Sequence, residues 1–378
     1  MDAYVNALVK DIKCQIDFFN IKDFSTVYIG GGTPSVLGVK RVNFLLDELR
    51  FFLRPDTEFT IEANPESADD DFLRACKNGG VNRLSLGVQT FYEPSRNAVN
   101  RGKCGDLLKR LSKASAIFPG AFCADIITGL PYQSEKTVLD DVRQLLEFSP
   151  AHISLYSLTP EKDTPLEKKI KTKEVTLPKS GEEENLWLAA RGELENSGFE
   201  HYEVSNFALR GKRCVHNTRY WLMDSWLGAG SAASGTVIDE ENASAVRYTY
   251  PPDADSYIRH FSSGEPRFAL FNRSPNGSLF DGGLLSCETL EKNSLMRDFL
   301  MMGYRYREGP DRQKFTRIFG LGIEDCIGGT ISRWRNRGFF DGENPSGELM
   351  LFLNSFLSEA FLELDEKEEI PKELTQRR

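Results

Sequence analysis

Short apolar or β-branched runs recur through the first half of the chain, at 26–29, 59–63, 83–87, 122–128 and 152–158. Each is followed by a stretch whose apolar positions repeat with helical spacing. That rhythm predicts five strand–helix units, with helices at 40–53, 68–78, 105–118, 135–148 and 181–197. Gly79-Gly80, Pro119-Gly120 and Gly198 supply stop signals after three of them. The strands read as continuous apolar runs, the pattern of a parallel sheet covered on its outer face and wound by right-handed crossovers, so a barrel or an open doubly wound sheet. A further helix, 2–19, opens the chain with no strand before it. The fold class that follows is α/β, a partial parallel (β/α) barrel lacking its first strand.

Beyond residue 200 the texture changes to aromatic, glycine and serine segments such as Tyr220-Trp221 and Gly228-Ala229-Gly230-Ser231. Loops and short strands are expected there. Helical spacing returns at 295–304, 312–319, 323–337 and 354–364. The expected organisation is therefore a partial barrel over 1–200, a barrel-completing segment over 201–287, a small, mostly helical C-terminal domain over 288–364 and a frayed, solvated tail over 365–378.

Composition narrows the function classes. The 378 residues are 40% hydrophobic and 27% charged, enough for one large α/β domain with a smaller appendage. With 56 acidic against 47 basic side chains the net charge is -9, which argues against a general nucleic-acid binder. No apolar run approaches the roughly 20 residues of a transmembrane helix, and the opening helix is amphipathic rather than a leader, so the expected compartment is the cytoplasm. The seven cysteines, at 14, 76, 104, 123, 214, 287 and 326, include no Cys-x-x-Cys pair. Reduced thiols and no cysteine-rich metal site are expected.

The chemistry is concentrated at the strand ends, where the βα loops of a parallel barrel converge. The first strand is followed by Gly30-Gly31-Gly32-Thr33-Pro34, the second by Glu62-Ala63-Asn64-Pro65-Glu66 and the third by Gly87-Val88-Gln89-Thr90. The fourth carries Asp125 and ends at Gly129-Leu130-Pro131. Three successive glycines suit either a tight βα turn or the close approach of a ligand to the backbone. Glu62 and Asp125 sit among apolar neighbours, and buried carboxylates need partners. Pairing with Arg83 or Arg101 to lock the fold is one reading, and a binding site is the other. With Gln89 they make a polar ring on one barrel face.

These motifs, together with 83–91, 125–131 and 152–158, resemble the radical SAM superfamily in its porphyrin-handling branch, which holds oxygen-independent coproporphyrinogen III oxidase and the HemW heme chaperones. The resemblance implies an S-adenosyl-L-methionine (SAM) site in which Gly31, Gly32 and Thr33 contact the methionine amino end. It implies that Glu62, Gln89 and Asp125 contact ribose or amino groups, and that Arg101 pairs the carboxylate. His201-Tyr202-Glu203-Val204-Ser205-Asn206-Phe207 and Cys214-Val215-His216-Asn217-Thr218-Arg219-Tyr220-Trp221 look like the HemW family rather than the oxidase. There His216 and Tyr220 are the implied heme-binding residues. A structural role, with Asn217 and Trp221 anchoring the loop, is the other reading of this segment. The glycine-rich stretch 228–234 lacks the histidine usual in the family.

Radical SAM chemistry uses a 4Fe-4S cluster held by Cys-x-x-x-Cys-x-x-Cys, and the 378 residues contain no such triplet. The expectation is that the chain starts after this motif, by a mis-assigned start or by loss, so that it cannot ligate the cluster and no catalytic residue is assigned. The function expected is that of a HemW-like heme chaperone, with heme or porphyrin and a heme-acceptor protein as partners. The alternatives are an oxygen-independent coproporphyrinogen III oxidase and a cluster-less SAM- or porphyrin-binding protein.

Overall fold

A computed structural model describes residues 1–179, 181–262 and 285–369. The chain divides into two compact units, residues 22–216 and residues 1–21 with 217–378. The first contains a seven-stranded sheet that curls into a half barrel. Its strands are β1 (Phe24–Ile29), β2 (Leu53–Ala63), β3 (Arg83–Gln89), β4 (Phe122–Thr128), β5 (His152–Ser157), β6 (Glu200–His201) and β7 (Asn206–Ala208). The order is β1-β2-β3-β4-β5-β7-β6; the first five are parallel, and β7 and β6 add antiparallel pairs at one edge.

All five expected strands are present, but they are not the continuous apolar runs expected: one face is apolar and the other largely polar. Side chains alternate across a strand. One face carries Phe59, Ile61, Leu84, Leu86, Ile153 and Leu155, each at most 1% exposed. The other carries Thr26 and Tyr28 of β1, Glu58, Thr60 and Glu62 of β2, Ser85 of β3, Asp125 of β4 and Ser154 of β5. In-register parallel pairing lines these polar positions up, with Thr26 beside Glu58, Glu62 beside Ser85 and Asp125 beside Ser154. A polar face on a half barrel is what positions a site.

The crossover helices bury an apolar stripe and are punctuated locally. Gly38–Leu49 buries Val42, Leu45, Leu46 and Leu49. Asp69 caps Asp70–Asn78 by accepting from the Phe72 amide, and Ser134 with Thr137 forms a reciprocal capping box on Glu135–Leu146. Gly79 is required after the former helix, because a Cβ there would lie 2.5 Å from Leu46 Cδ1. The fifth crossover helix is Glu182–Asn196, and two short helices not expected from the pattern, Glu93–Ala98 and Pro165–Lys171, lie in the connections.

In the second unit, the strands Ser234–Asp239, Ser244–Thr249 and Ser286–Leu290 form an antiparallel sheet with Ser244–Thr249 in the middle. The opening helix, Asp2–Phe19, packs against Ala254–Ser262, a helix not expected from the sequence. The last part of the chain is mostly helical, with Lys292–Gly303, Arg312–Phe319, Ile323–Asn336 and Leu353–Glu369, around Tyr304, Trp334, Phe340 and Phe356. The final helix reaches Glu369; the remainder of the expected tail, 370–378, lies outside the described residues, as does 263–284. Among the described residues no helix is long and apolar enough to cross a membrane.

Candidate functional site

The site begins where β1 ends. Gly31 has φ 102, a conformation that a residue with a Cβ adopts only under strain, and nothing lies within 4 Å of where a Cβ on Gly31 or Gly32 would point. The loop therefore presents bare backbone. Gly30 is required for another reason: a Cβ would sit 2.7 Å from the Tyr28 ring and 2.9 Å from the Glu62 carboxyl carbon. Glu62 lies against the loop, its Oε2 accepting from the Gly31 amide at 3.2 Å and its Oε1 from the Tyr28 hydroxyl at 2.6 Å. Thr33, partly exposed, leads into a short 3-10 turn, Pro34–Leu37. There Ser35 Oγ accepts from the Asn64 amide at 3.1 Å and pairs with Ser67 Oγ at 2.6 Å, tying the first two strand ends together.

The third strand end is irregular. The register of β3 against β4 slips between Gly87 and Gln89, and Gln89 has φ 68, left-handed for a residue with a long side chain. Such conformations persist where the surroundings enforce them. A Cβ on Gly87 would lie 2.9 Å from Gln89 Nε2 and 3.9 Å from the Arg101 guanidinium, so this glycine leaves room for both side chains. Gln89 Oε1 is buried without a hydrogen-bond partner among the described residues. A buried amide oxygen left unpaired is destabilising, and a bound donor would relieve it.

Asp125 accepts from Ser85 Oγ at 3.4 Å and from Ser154. Burial pushes its pKa up to about 6; the Glu62 carboxylate adds to the rise, while the serine hydroxyls and Arg83 oppose it. Glu62, Gln89 and the glycine loop thus lie at the carboxyl ends of β1 to β3, with Arg101 near Gly87 and Asp125 inside β4 on the same polar face. Bare amides and carbonyls, a guanidinium, two carboxylates and an unpaired amide oxygen fit the polar ends of SAM in donor and acceptor type.

Three supporting residues escape sequence reasoning. Arg96, buried, donates to the carbonyls of Val88, Thr90 and Gly102. Glu66 accepts from the Gly102 amide and faces Arg96 at 3.8 Å. Together they clasp the segment that carries Arg101. Asp141 accepts from Thr90 Oγ1 at 2.6 Å and from the Phe91 amide at 2.7 Å, and burial pushes its pKa up to about 6. Asp141 was visible in the sequence as an acid among Val138, Val142 and Leu145, the buried stripe of its helix.

His216 lies on the same polar face. Its Nδ1 is hydrogen-bonded to Thr26 Oγ1 at 2.9 Å, and its ring stacks on Tyr28 at 5.0 Å with 26° between the planes. Burial pushes its pKa down to about 4 against the opposing pull of Glu58, so the imidazole is neutral at pH 7. Glu58, also missed by sequence reasoning, accepts from the Val215 and His216 amides at 3.0 and 2.8 Å and from Cys214 Sγ at 3.4 Å. Tyr202 Oη accepts from the Cys214 amide at 3.2 Å and is paired with His152 Nε2 at 2.9 Å.

The motif forms a short helix, Val215–Trp221, rather than the loop expected, and it runs across the boundary between the units. His216 and Tyr220 are four residues apart on it, one helical turn. Tyr220 meets Trp226 edge-on at 4.9 Å. The anchoring role weighed for Trp221 lacks its hydrogen bond: Nε1 is buried without a partner among the described residues. In the second unit the histidine-less glycine segment is held by the opening helix, with Asp11 accepting from the Gly230 amide at 3.3 Å and from Tyr250 and Tyr257.

All seven cysteines are thiols, and burial pushes Cys76 and Cys123 up to about 12, far from the thiolate form a metal needs. Among the described residues no group of three or more His, Cys, Asp or Glu side chains is placed to hold a metal ion. Among the described residues no set of thiols is placed to hold a 4Fe-4S cluster.

The family model of the radical SAM superfamily matches residues 3–145. The heme chaperone HemW of Escherichia coli is 32% identical over 371 residues, covering 96% of this chain and 90% of its own length. That of Lactococcus lactis is 30% identical over 343 residues, covering 89% and 82%. Radical S-adenosyl methionine domain-containing protein 1, mitochondrial, of Mus musculus is 31% identical over 315 residues, covering 82% and 67%. The solved structure of coproporphyrinogen III oxidase (HemN) of Escherichia coli, a radical SAM enzyme, superposes with a TM-score of 0.74 over 95% of this chain and 82% of that one; at 19% identity it shows the shared fold. The glycine loop, the polar half-barrel face and these similarities agree that the chain belongs to the HemW family of the radical SAM superfamily.

Proposed function

We propose that this protein is a heme chaperone that takes heme on His216, with Tyr220 as the other heme-binding residue of the motif, and passes it to an acceptor protein. The observation that carries the reading is the setting of His216. Iron takes a neutral imidazole nitrogen, and burial keeps this ring neutral well below pH 7. Thr26 fixes its orientation through Nδ1, a hydrogen bond to the second ring nitrogen of the kind that commonly orients histidine ligands. The names of the HemW relatives support the same reading.

SAM is the proposed cofactor. Gly31, Gly32 and Thr33 receive the methionine amino end, Arg101 pairs its carboxylate, and Glu62, Gln89 and Asp125 accept from its ammonium or ribose hydroxyls. SAM supplies a sulfonium-activated adenosyl group. Its reductive cleavage in radical SAM enzymes draws an electron from the cluster, which these residues do not hold, so no redox step is assigned to them.

Hemin titration of the full chain, followed at the Soret band, tests the proposal. A saturable one-to-one shift is expected. A linear, non-saturating rise would contradict it. Calorimetry with SAM tests the second seat, with binding expected and lost in Arg101→Ala.

A further inference from the structure

One side chain touches both proposed seats. The Tyr28 hydroxyl donates to Glu62 Oε1 at 2.6 Å, and the other oxygen of that carboxylate accepts from Gly31 in the glycine loop at 3.2 Å. The face of the same ring stacks on His216 at 5.0 Å. Thr26, two residues earlier on the same face of β1, holds the imidazole from its Nδ1 side. Glu62 and His216 are therefore linked through a single aromatic ring.

We propose that Tyr28 is a positioning residue that couples the two seats, so that SAM bound on Glu62 and the glycine loop favours iron ligation by His216. This rests on the function proposed above. The physical cause is shared ordering. A ligand that immobilises Glu62 fixes the acceptor of the Tyr28 hydroxyl, hence the ring, hence the imidazole stacked on it. The second ligand then meets a seat with less freedom left to lose. The coupling must be reciprocal, heme tightening SAM by the same factor.

Hemin titration with and without saturating SAM, on the wild-type chain and on Tyr28→Phe, provides the test. The phenylalanine keeps the stacked ring and removes the link to Glu62. In the wild type SAM is expected to tighten hemin by about 5-fold or more, and in Tyr28→Phe by less than about 2-fold. A second readout needs no heme: the imidazole NMR signals of His216 shift on adding SAM to the wild type and stay in place in Tyr28→Phe. A wild type that binds both ligands without tightening, or a variant that tightens as much, overturns the coupling and leaves the function standing. A wild type with no saturable hemin binding overturns the function and the coupling together.

Discussion

At the residue scale, the candidate site depends on a few positions where a side chain, or its absence, is decisive. Gly30→Ala places a methyl group against Tyr28 and Glu62, and the carboxylate must move away from the Gly31 amide. The expected outcome is a loss of SAM affinity of about 10-fold or more by calorimetry, the order of a displaced charge-assisted hydrogen bond. The pH behaviour of His216 has a definite sign. Its pKa is lowered from 6.5 to about 4 in the fold, so the unfolded chain binds more protons between these values. This group therefore contributes stability above about pH 6.5 that is lost as pH falls toward 4. Hemin affinity is expected to hold level from pH 8 to pH 5 and to fall as pH approaches 4, where the ring protonates. Glu62 and Gln89 were legible because each stands at the end of an apolar strand, and Asp125 because it interrupts one; Arg101 follows the short helix Glu93–Ala98, and its role came only from the family resemblance. Glu58 was not, because it stands one residue before the apolar run 59–63, where a polar residue looks like a strand boundary.

At the element scale, the five parallel strands and their crossover helices were readable because apolar periodicity and glycine stops are local signals. Phe122–Thr128 was expected with the observed bounds, and the other strands differ at their ends. The alternation of polar and apolar faces was the larger omission. Thr26, Tyr28, Thr60 and Ser85 are compatible with β-structure and so blended into runs that read as apolar throughout. The helix Val215–Trp221 was hidden for a different reason. His, Asn and Thr are weak helix formers, and Glu58, far away in sequence, accepts from two of its first amides. Glu58→Ala leaves those amides without that acceptor. Hydrogen exchange at Val215 and His216 is expected to accelerate by about 10-fold or more, with a parallel fall in hemin affinity. Asp141 does similar work within the first unit. Replacing it with Ala unpairs Thr90 Oγ1 and the Phe91 amide and is expected to destabilise the protein by about 2–3 kcal/mol in denaturant unfolding, whereas unchanged stability would show that these bonds are dispensable.

At the scale of the whole molecule, the net charge is -9 and the seven cysteines are free. The thiols divide by burial: Cys76, Cys123, Cys214 and Cys326 are buried, and Cys14, Cys104 and Cys287 partly exposed. A thiol reagent is expected to label at most the three partly exposed ones in the native protein and all seven after unfolding. Family membership fixes the kind of scaffold, and what the scaffold does depends on the groups it presents. In this chain those groups include the glycine loop, Glu62, Gln89, Asp125 and a neutral imidazole held by Thr26. The central claim is that heme is taken on that imidazole, and the most direct measurement is a hemin titration of the intact chain beside His216→Ala. The account predicts a saturable Soret shift for the wild type and a loss of affinity of about 10-fold or more, with a changed band position, in the variant. An identical shift at an identical hemin concentration in both would contradict it.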